Sequence, residues 1–315
     1  MKSPVFALLV LAALPGIGIA QKAQLVTVQP GVKLEVLDWG GTGRPLIFLV
    51  GLGSDGHVFD HLAPNFIADH HVLAITRRGF GNSSKPAPTV ANYNDDRLGD
   101  DVLAVMDALQ LERPVLAGHS IAGEELSSIG SRHPDKVAGL IYVDAADAYG
   151  FYDEKRGDWQ LDMNDLKQRL DAVAAGAPLS PEFQQKLLES AQRFERSQRE
   201  LLQHLKLLPP GPPPSLPPIP LAIRFGEEKY TSIHNPALAI FACPHNFARM
   251  FPADQKARQA VTEQDRVSCT AQAKAFQTAV PTAQIVLIPN ADHWVFVSNE
   301  AEVVKDMKAF LNSVH

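Results

Sequence analysis

Short apolar runs alternate with amphipathic stretches along most of the chain. Residues 24–28 and 33–39 alternate apolar and polar positions around Pro30-Gly31, which predicts an antiparallel hairpin. From residue 45 the pattern changes. Residues 45–50 (Pro-Leu-Ile-Phe-Leu-Val) and 71–76 are almost continuously apolar, as expected of strands covered on both faces, with a weakly helical stretch over 58–67 between them. Leu98, Val102, Val105, Met106 and Leu109 recur at helical spacing and predict a helix over 96–111. Further buried strands are expected from Pro114 and over 136–144, 236–242 and 284–288. Helices are expected over 270–280 and 300–311. This order of strand and helix with short links predicts an α/β fold built on a mostly parallel, doubly wound sheet.

The alternation stops over residues 148–221. A helix is expected over 161–175, and a second opens at Ser180, a good N-cap with Pro181 at the first helical position. Phe183, Leu187, Leu188, Ala191, Phe194, Leu201, Leu202 and Leu205 form one apolar stripe on it, suited either to packing on the sheet or to facing a substrate cavity. Residues 209–220 then contain eight prolines, which predict a stiff extended connector. The expected organisation is a core of residues 21–147 and 222–315 with a helical cap, 148–221, inserted into it.

Composition narrows the class without choosing the activity. With 45 % apolar and 20 % charged residues the chain is an ordinary globular one. A formal charge of −6 and the lack of a long basic run argue against nucleic acid and anionic membrane surfaces, leaving small, uncharged molecules as the expected partners. Residues 1–20 read as a signal peptide: Lys2, an apolar stretch over 5–14, then Gly18-Ile19-Ala20 before Gln21. The apolar stretch is well short of the roughly 20 residues that span a bilayer, and no cysteine follows the cleavage point to carry a lipid. Export to a periplasm or the medium is the expectation, with loss of Lys2 moving the charge from −6 to −7. In such a protein Cys243 and Cys269, 26 residues apart, are expected to pair, and without a histidine cluster at ligand spacing they predict no zinc site.

The candidate chemistry lies at Gly118-His119-Ser120-Ile121-Ala122. An apolar strand runs into it and a helix starting near Glu124 leaves it, so Ser120 sits at a strand-to-helix corner between small residues. A nucleophile elbow requires this, because larger side chains two positions either side would clash in the bend. Ala122 stands where glycine is usual. The string alone fits an ordinary loop equally well.

Several features in order carry a wider likeness: the opening hairpin, the Gly51-Leu52-Gly53 loop, the Arg78-Gly79-Phe80-Gly81-Asn82-Ser83 turn, the elbow, the helical insertion and a late Asp292-His293. On these the chain resembles the α/β-hydrolase family over nearly all of residues 24–312. The resemblance implies an eight-stranded sheet, Ser120 as nucleophile, His293 as its base, and an oxyanion hole from the N–H groups of Leu52 and Ile121. His119, adjacent to Ser120, is expected to point away from it. In most of the family the triad acid follows the strand matching 236–242, but here Ala242-Cys243-Pro244-His245-Asn246 holds no carboxylate before Asp254. Some branches place the acid at the end of the strand after the elbow, where Asp144 stands. Asp144 is therefore the expected acid, with Asp147 and Asp254 as alternatives. Glu124 and Glu125 are expected to complement the helix dipole, with support of the acid or of His293 by one of them as the alternative, and Arg77-Arg78 to be a structural turn.

The implied activity is a serine hydrolase acting on small, largely apolar carboxylic esters or lactones through an acyl-enzyme, without metal or organic cofactor. A peptidase, a thioesterase and a cofactor-free haloperoxidase would use the same triad. A non-catalytic binding protein on the same fold is the alternative of a different class.

Overall fold

Among the described residues, 21–208 and 215–314 of a computed structural model, eight strands form one sheet. The leader-like residues 1–20 and most of the proline run lie outside them. The strands are β1 (Lys22–Gln29), β2 (Val32–Gly40), β3 (Pro45–Leu49), β4 (His71–Thr76), β5 (Val115–His119), β6 (Gly139–Val143), β7 (Ala237–Ala242) and β8 (Gln284–Ile288), in spatial order β1-β2-β4-β3-β5-β6-β7-β8. The opening hairpin pairs antiparallel, β2 pairs antiparallel with β4, and every later pairing is parallel. Strand order reverses around β3, whose neighbours are β4 and β5. Loops leaving the carboxyl ends of β3 and β5 therefore diverge into a crevice, where open α/β sheets bind ligands.

The helices are α1 (Val90–Tyr93), α2 (Asp95–Ala108), α3 (Gly123–Arg132), α4 (Trp159–Ala174), α5 (Pro181–Leu205), α6 (Pro218–Gly226), α7 (Gln255–Ala279), α8 (Val295–Ser298) and α9 (Glu300–Ser313). Strand alternation sends Ile47, Leu49 and Leu116 to one face, under Val105 of α2, Ile129 of α3 and Phe276 of α7. Leu46, Phe48 and Ala117 go to the other, under Phe59, Phe66 and Met307 and Phe310 of α9. Burial on both faces explains why these strands read as apolar runs rather than alternating ones.

Four expectations need correction or refinement. The weakly helical stretch over 58–67 is two short 3-10 helices, Gly56–Phe59 and Ala63–Asn65, rather than one α-helix. α7 begins fifteen residues before the expected 270, because its first half is too polar to show an apolar stripe. The proline run is not extended to its end: Pro218 and Pro220 lie in the first turn of α6, where missing N–H groups have no intrahelical acceptor to lose. On α5 the apolar stripe is not the buried face. Leu188, Leu202 and Leu205 are about half exposed, at 51 %, 50 % and 49 %, while Ser190 and Ser197 are buried against α4. Ser190 Oγ donates to Asp165 and accepts from Arg169, each at 2.7 Å, so this seam is held by polar contacts.

The Cys243–Cys269 disulfide joins the end of β7 to the middle of α7. Closing a 26-residue loop is worth about 2–4 kcal/mol through the restricted unfolded chain. The double variant Cys243→Ser/Cys269→Ser should lose about that much stability in urea unfolding. Dithiothreitol should destabilise the natural protein, and leave the variant unaffected.

Candidate active site

At the end of β5 the backbone turns so sharply that Ser120 takes φ +55°, a left-handed conformation few non-glycine residues adopt. Space sets its neighbours. A Cβ on Gly118 would come within 3.0 Å of the Ala122 methyl, so the bend accepts alanine at 122 because 118 has no side chain. A Cβ on Gly123 would lie 1.9 Å from the Ala145 carbonyl oxygen, so this is the glycine that lets α3 close onto the end of β6.

His293 comes from the loop after β8. Its Nε2 lies 2.8 Å from Ser120 Oγ and its Nδ1 lies 2.7 Å from Asp144 Oδ2. Asp144 ends β6, also at a positive φ of +48°, and is 2 % exposed. Its other oxygen accepts the Ala242 N–H at 2.9 Å. Burial alone would raise the Asp144 pKa, but hydrogen bonds from His245 and His293, and their charges, bring it below the usual carboxylate range. A hydroxyl, an imidazole and an ionised carboxylate thus stand in series, the arrangement needed for moving the serine proton onto the ring.

His119 points away from Ser120 and packs against Trp294 and Phe296, with Nε2 3.0 Å from the His293 carbonyl oxygen. Burial lowers its pKa to about 4, so it stays neutral and steadies the His293 loop. The β3 loop closes on the elbow from the other side. A Cβ on Gly51 would lie 2.8 Å from His119 Nδ1 and 3.3 Å from Ser120 Cβ, a contact that brings the adjoining Leu52 backbone beside the serine. Leu52 and Ile121 pack with Phe80, Ile219, Ala222 and Ile223, the last three from α6, giving an apolar wall next to the two N–H groups. A separate cavity of about 790 Å³ lies between α4, α6 and the loop before α2, and none of Ser120, Asp144 or His293 lines it.

The alternative acids sit elsewhere. Asp147 is close to Asp144 but its hydrogen bond is to the Tyr149 hydroxyl, at 3.5 Å. Burial and the negative charge of Asp144 raise its pKa to about 6. Asp254 caps α7, accepting the Ala257 N–H at 2.9 Å. Glu124 and Glu125 stand in the first turn of α3, where the expectation put them. Both are buried, and Glu125 accepts from Arg77 Nη2 at 2.9 Å. Glu124 adjoins Asp95 and Glu227, and burial pushes all three pKa values up.

For Glu227, which also pairs with Arg224, burial raises the pKa to about 8. Between the usual carboxylate range and pH 8 the folded protein therefore holds a proton that the unfolded chain has released. This group supports the fold below that range, and its support fades as pH rises through about 8. From pH 5 to 8, unfolding free energy should fall by about 1.4 kcal/mol per pH unit more steeply in the natural protein than in Glu227→Gln. Parallel slopes in urea titrations would contradict this.

Sequence reasoning passes over three residues at the site. Tyr149 places its phenol beside Ser120 and Asp147. His245 donates to Asp144 Oδ2 from Nε2 at 2.9 Å, and Asp265 accepts from His245 Nδ1 at 3.1 Å and from its backbone N–H at 2.7 Å. The signal was present for the last pair. Asp265 lies one helical turn before Cys269, and His245 two residues after Cys243, so pairing the cysteines brings them together. Asp144, His245 and His293 are also the one group of possible metal ligands among the described residues, and each ligand atom is already committed to a hydrogen bond.

Comparison with known proteins agrees with this architecture. A fluoroacetate dehalogenase from Burkholderia sp is 33 % identical over 117 residues, 36 % of this chain and 38 % of that protein. A non-heme haloperoxidase assigned in Mycobacterium phage D29 is 32 % identical over 127 residues, 40 % of this chain and 44 % of the other. The chain thus matches less than half the length of these curated relatives. A thermophilic esterase structure from Thermogutta terrifontis superposes with a TM-score of 0.57 at 19 % identity, covering 94 % of this chain and 99 % of that one, a likeness of fold. The alpha/beta hydrolase family matches residues 46–306, most of the sheet and its helices together with the elbow and the late histidine, and the chain belongs to that family.

Proposed function

We propose that the protein is an exported serine hydrolase that cleaves small, largely apolar carboxylic esters or lactones through an acyl-enzyme. The observation that carries this reading is a serine, not a carboxylate, at the elbow with the His293 ring 2.8 Å from its oxygen. Serine attack on a saturated carbon bearing halogen or an epoxide oxygen would leave an ether that water does not cleave. Attack on an acyl carbon leaves an ester that water does cleave, so the residue completes a cycle only in acyl transfer.

In this reading His293 takes the Ser120 proton as Oγ adds to the carbonyl carbon, while Asp144 stabilises the imidazolium. The N–H groups of Leu52 and Ile121 receive the oxyanion. The proton passes to the departing alkoxide, and a water activated by the same ring then releases the acid and restores Ser120. The wall of Phe80, Ile121, Ile219 and Ile223 favours an apolar substituent. The leader-like residues 1–20 and the Cys243–Cys269 disulfide support export, since such bonds persist in oxidising compartments.

The test is turnover of p-nitrophenyl esters of two to twelve acyl carbons and of simple γ-lactones, with labelling by a fluorophosphonate located by peptide mass spectrometry. Turnover with the label on Ser120 is expected. No turnover and no label would sink the reading.

A further inference from the structure

Asp144 serves two histidines. His293 Nδ1 and His245 Nε2 meet the same oxygen, Asp144 Oδ2, at 2.7 and 2.9 Å, and the two rings lie 6.1 Å apart between centroids. The far side of the His245 ring is also occupied: Nδ1 stands 3.1 Å from Asp265 Oδ2. A neutral imidazole has one N–H and one lone pair, whereas carboxylate oxygens only accept. With a carboxylate opposite each nitrogen, both nitrogens have to carry hydrogen.

From this geometry we infer that His245 is an imidazolium positioning residue, clamped between Asp265 and Asp144, which holds the Asp144 carboxylate toward His293 and moderates its pull on the His293 proton. The inference rests on reading Ser120, His293 and Asp144 as nucleophile, base and acid. Burial of the His245 ring opposes its charge, but hydrogen bonds to Asp144 and Asp265 outweigh this and raise its pKa to about 10.

The surroundings are built for the clamp. Asp265, Cys269 and Gln272 lie on one face of α7, at spacings of four and three. Cys269 is bonded to Cys243, two residues before His245. Gln272 Nε2 donates to the carbonyl oxygens of Ala146 and Phe151 at 2.9 Å each, tying α7 to the segment that follows Asp144. The titratable groups facing His245 are Asp144 and Asp147 from the end of β6, Asp265 from α7 and His293 from the loop after β8. Without the His245 charge, two carboxylates, Asp144 and Asp265, would face the His293 imidazolium formed during catalysis with no cation between them. His293 would then hold its proton to higher pH, and fewer molecules would carry a free base in mildly acidic solution.

Two measurements on the full chain decide this. The first is the pH profile of ester hydrolysis in His245→Gln, which keeps an N–H donor and loses the charge, and in Asp265→Asn. The acid limb of kcat/KM should move up by about one pH unit in His245→Gln, an about tenfold loss on that limb with the alkaline plateau within about threefold. In Asp265→Asn the amide oxygen still accepts from His245 Nδ1 and one negative charge near the rings is gone, so the limb should not move up. A loss of equal size at every pH in His245→Gln, with the limb unmoved, means a structural prop only, and overturns the proposal.

The second is the ring nitrogen signal of His245 in the natural protein by ¹⁵N NMR, assigned against His245→Gln. Both nitrogens protonated at pH 8 is expected, and a neutral ring at that pH overturns the proposal. If the natural protein turns over no ester, the proposed function fails, and this second measurement alone decides the charge on His245.

Discussion

Replacing Ser120 by alanine should lower kcat for p-nitrophenyl butyrate by at least about four orders of magnitude, with KM little changed. The size follows from the path. Without Oγ there is no acyl-enzyme, and what remains is water attack helped by bound orientation and the oxyanion donors. The fold should survive, because alanine meets the same backbone demand at φ +55° and Oγ makes polar contacts with His293 and Tyr149 rather than core packing. The check is steady-state kinetics beside circular dichroism melting. Turnover close to that of the natural protein in folded Ser120→Ala would remove the serine hydrolase reading altogether.

Asp144→Asn should cost about four orders of magnitude in kcat as well. An amide in place of the carboxylate presents one acceptor where three donors converge: the Ala242 N–H, His245 Nε2–H and His293 Nδ1–H. His293 then loses the partner that keeps its proton on Nδ1, so Nε2 ceases to present a lone pair to Ser120. The comparison with the other carboxylates is part of the test. Asp147→Asn should cost less than about tenfold, since its bond is to Tyr149 rather than His293. Asp254→Asn should leave kcat unchanged, because Asp254 caps α7 and asparagine caps as well. If Asp254→Asn, and not Asp144→Asn, proved crippling, the assignment of the acid would be wrong.

Much of the architecture is readable from residue order. The parallel strands show as apolar runs because helices cover both sheet faces. The elbow is legible because its small residues reflect one steric demand, the close approach of Gly118 to Ala122. The eight-stranded, mostly parallel sheet expected from the likeness is the sheet observed, with β8 at the residues its apolar run predicts. Legibility fails where the cause is not local. The polar first half of α7 carries no stripe, and its helix is fixed by the Asp254 cap and by contacts made later in its length. The buried seam of α5 runs through serines because Arg169 and Asp165 reach it from another helix.

The sequence by itself determined the order of strands and helices, the serine at a strand-to-helix corner, and a histidine after the last strand, since each depends on local sterics and hydrophobic periodicity. Which carboxylate reaches His293 was decided only in three dimensions. Asp144, Asp147 and Asp254 are equally acidic as letters, and the turn that aims Asp144 at the ring is set by the packing of β6 between β5 and β7. The same holds for His245. Its place against Asp144 comes from a disulfide and from a helix face that begins twenty residues on at Asp265, and such contacts exist only once the chain has folded.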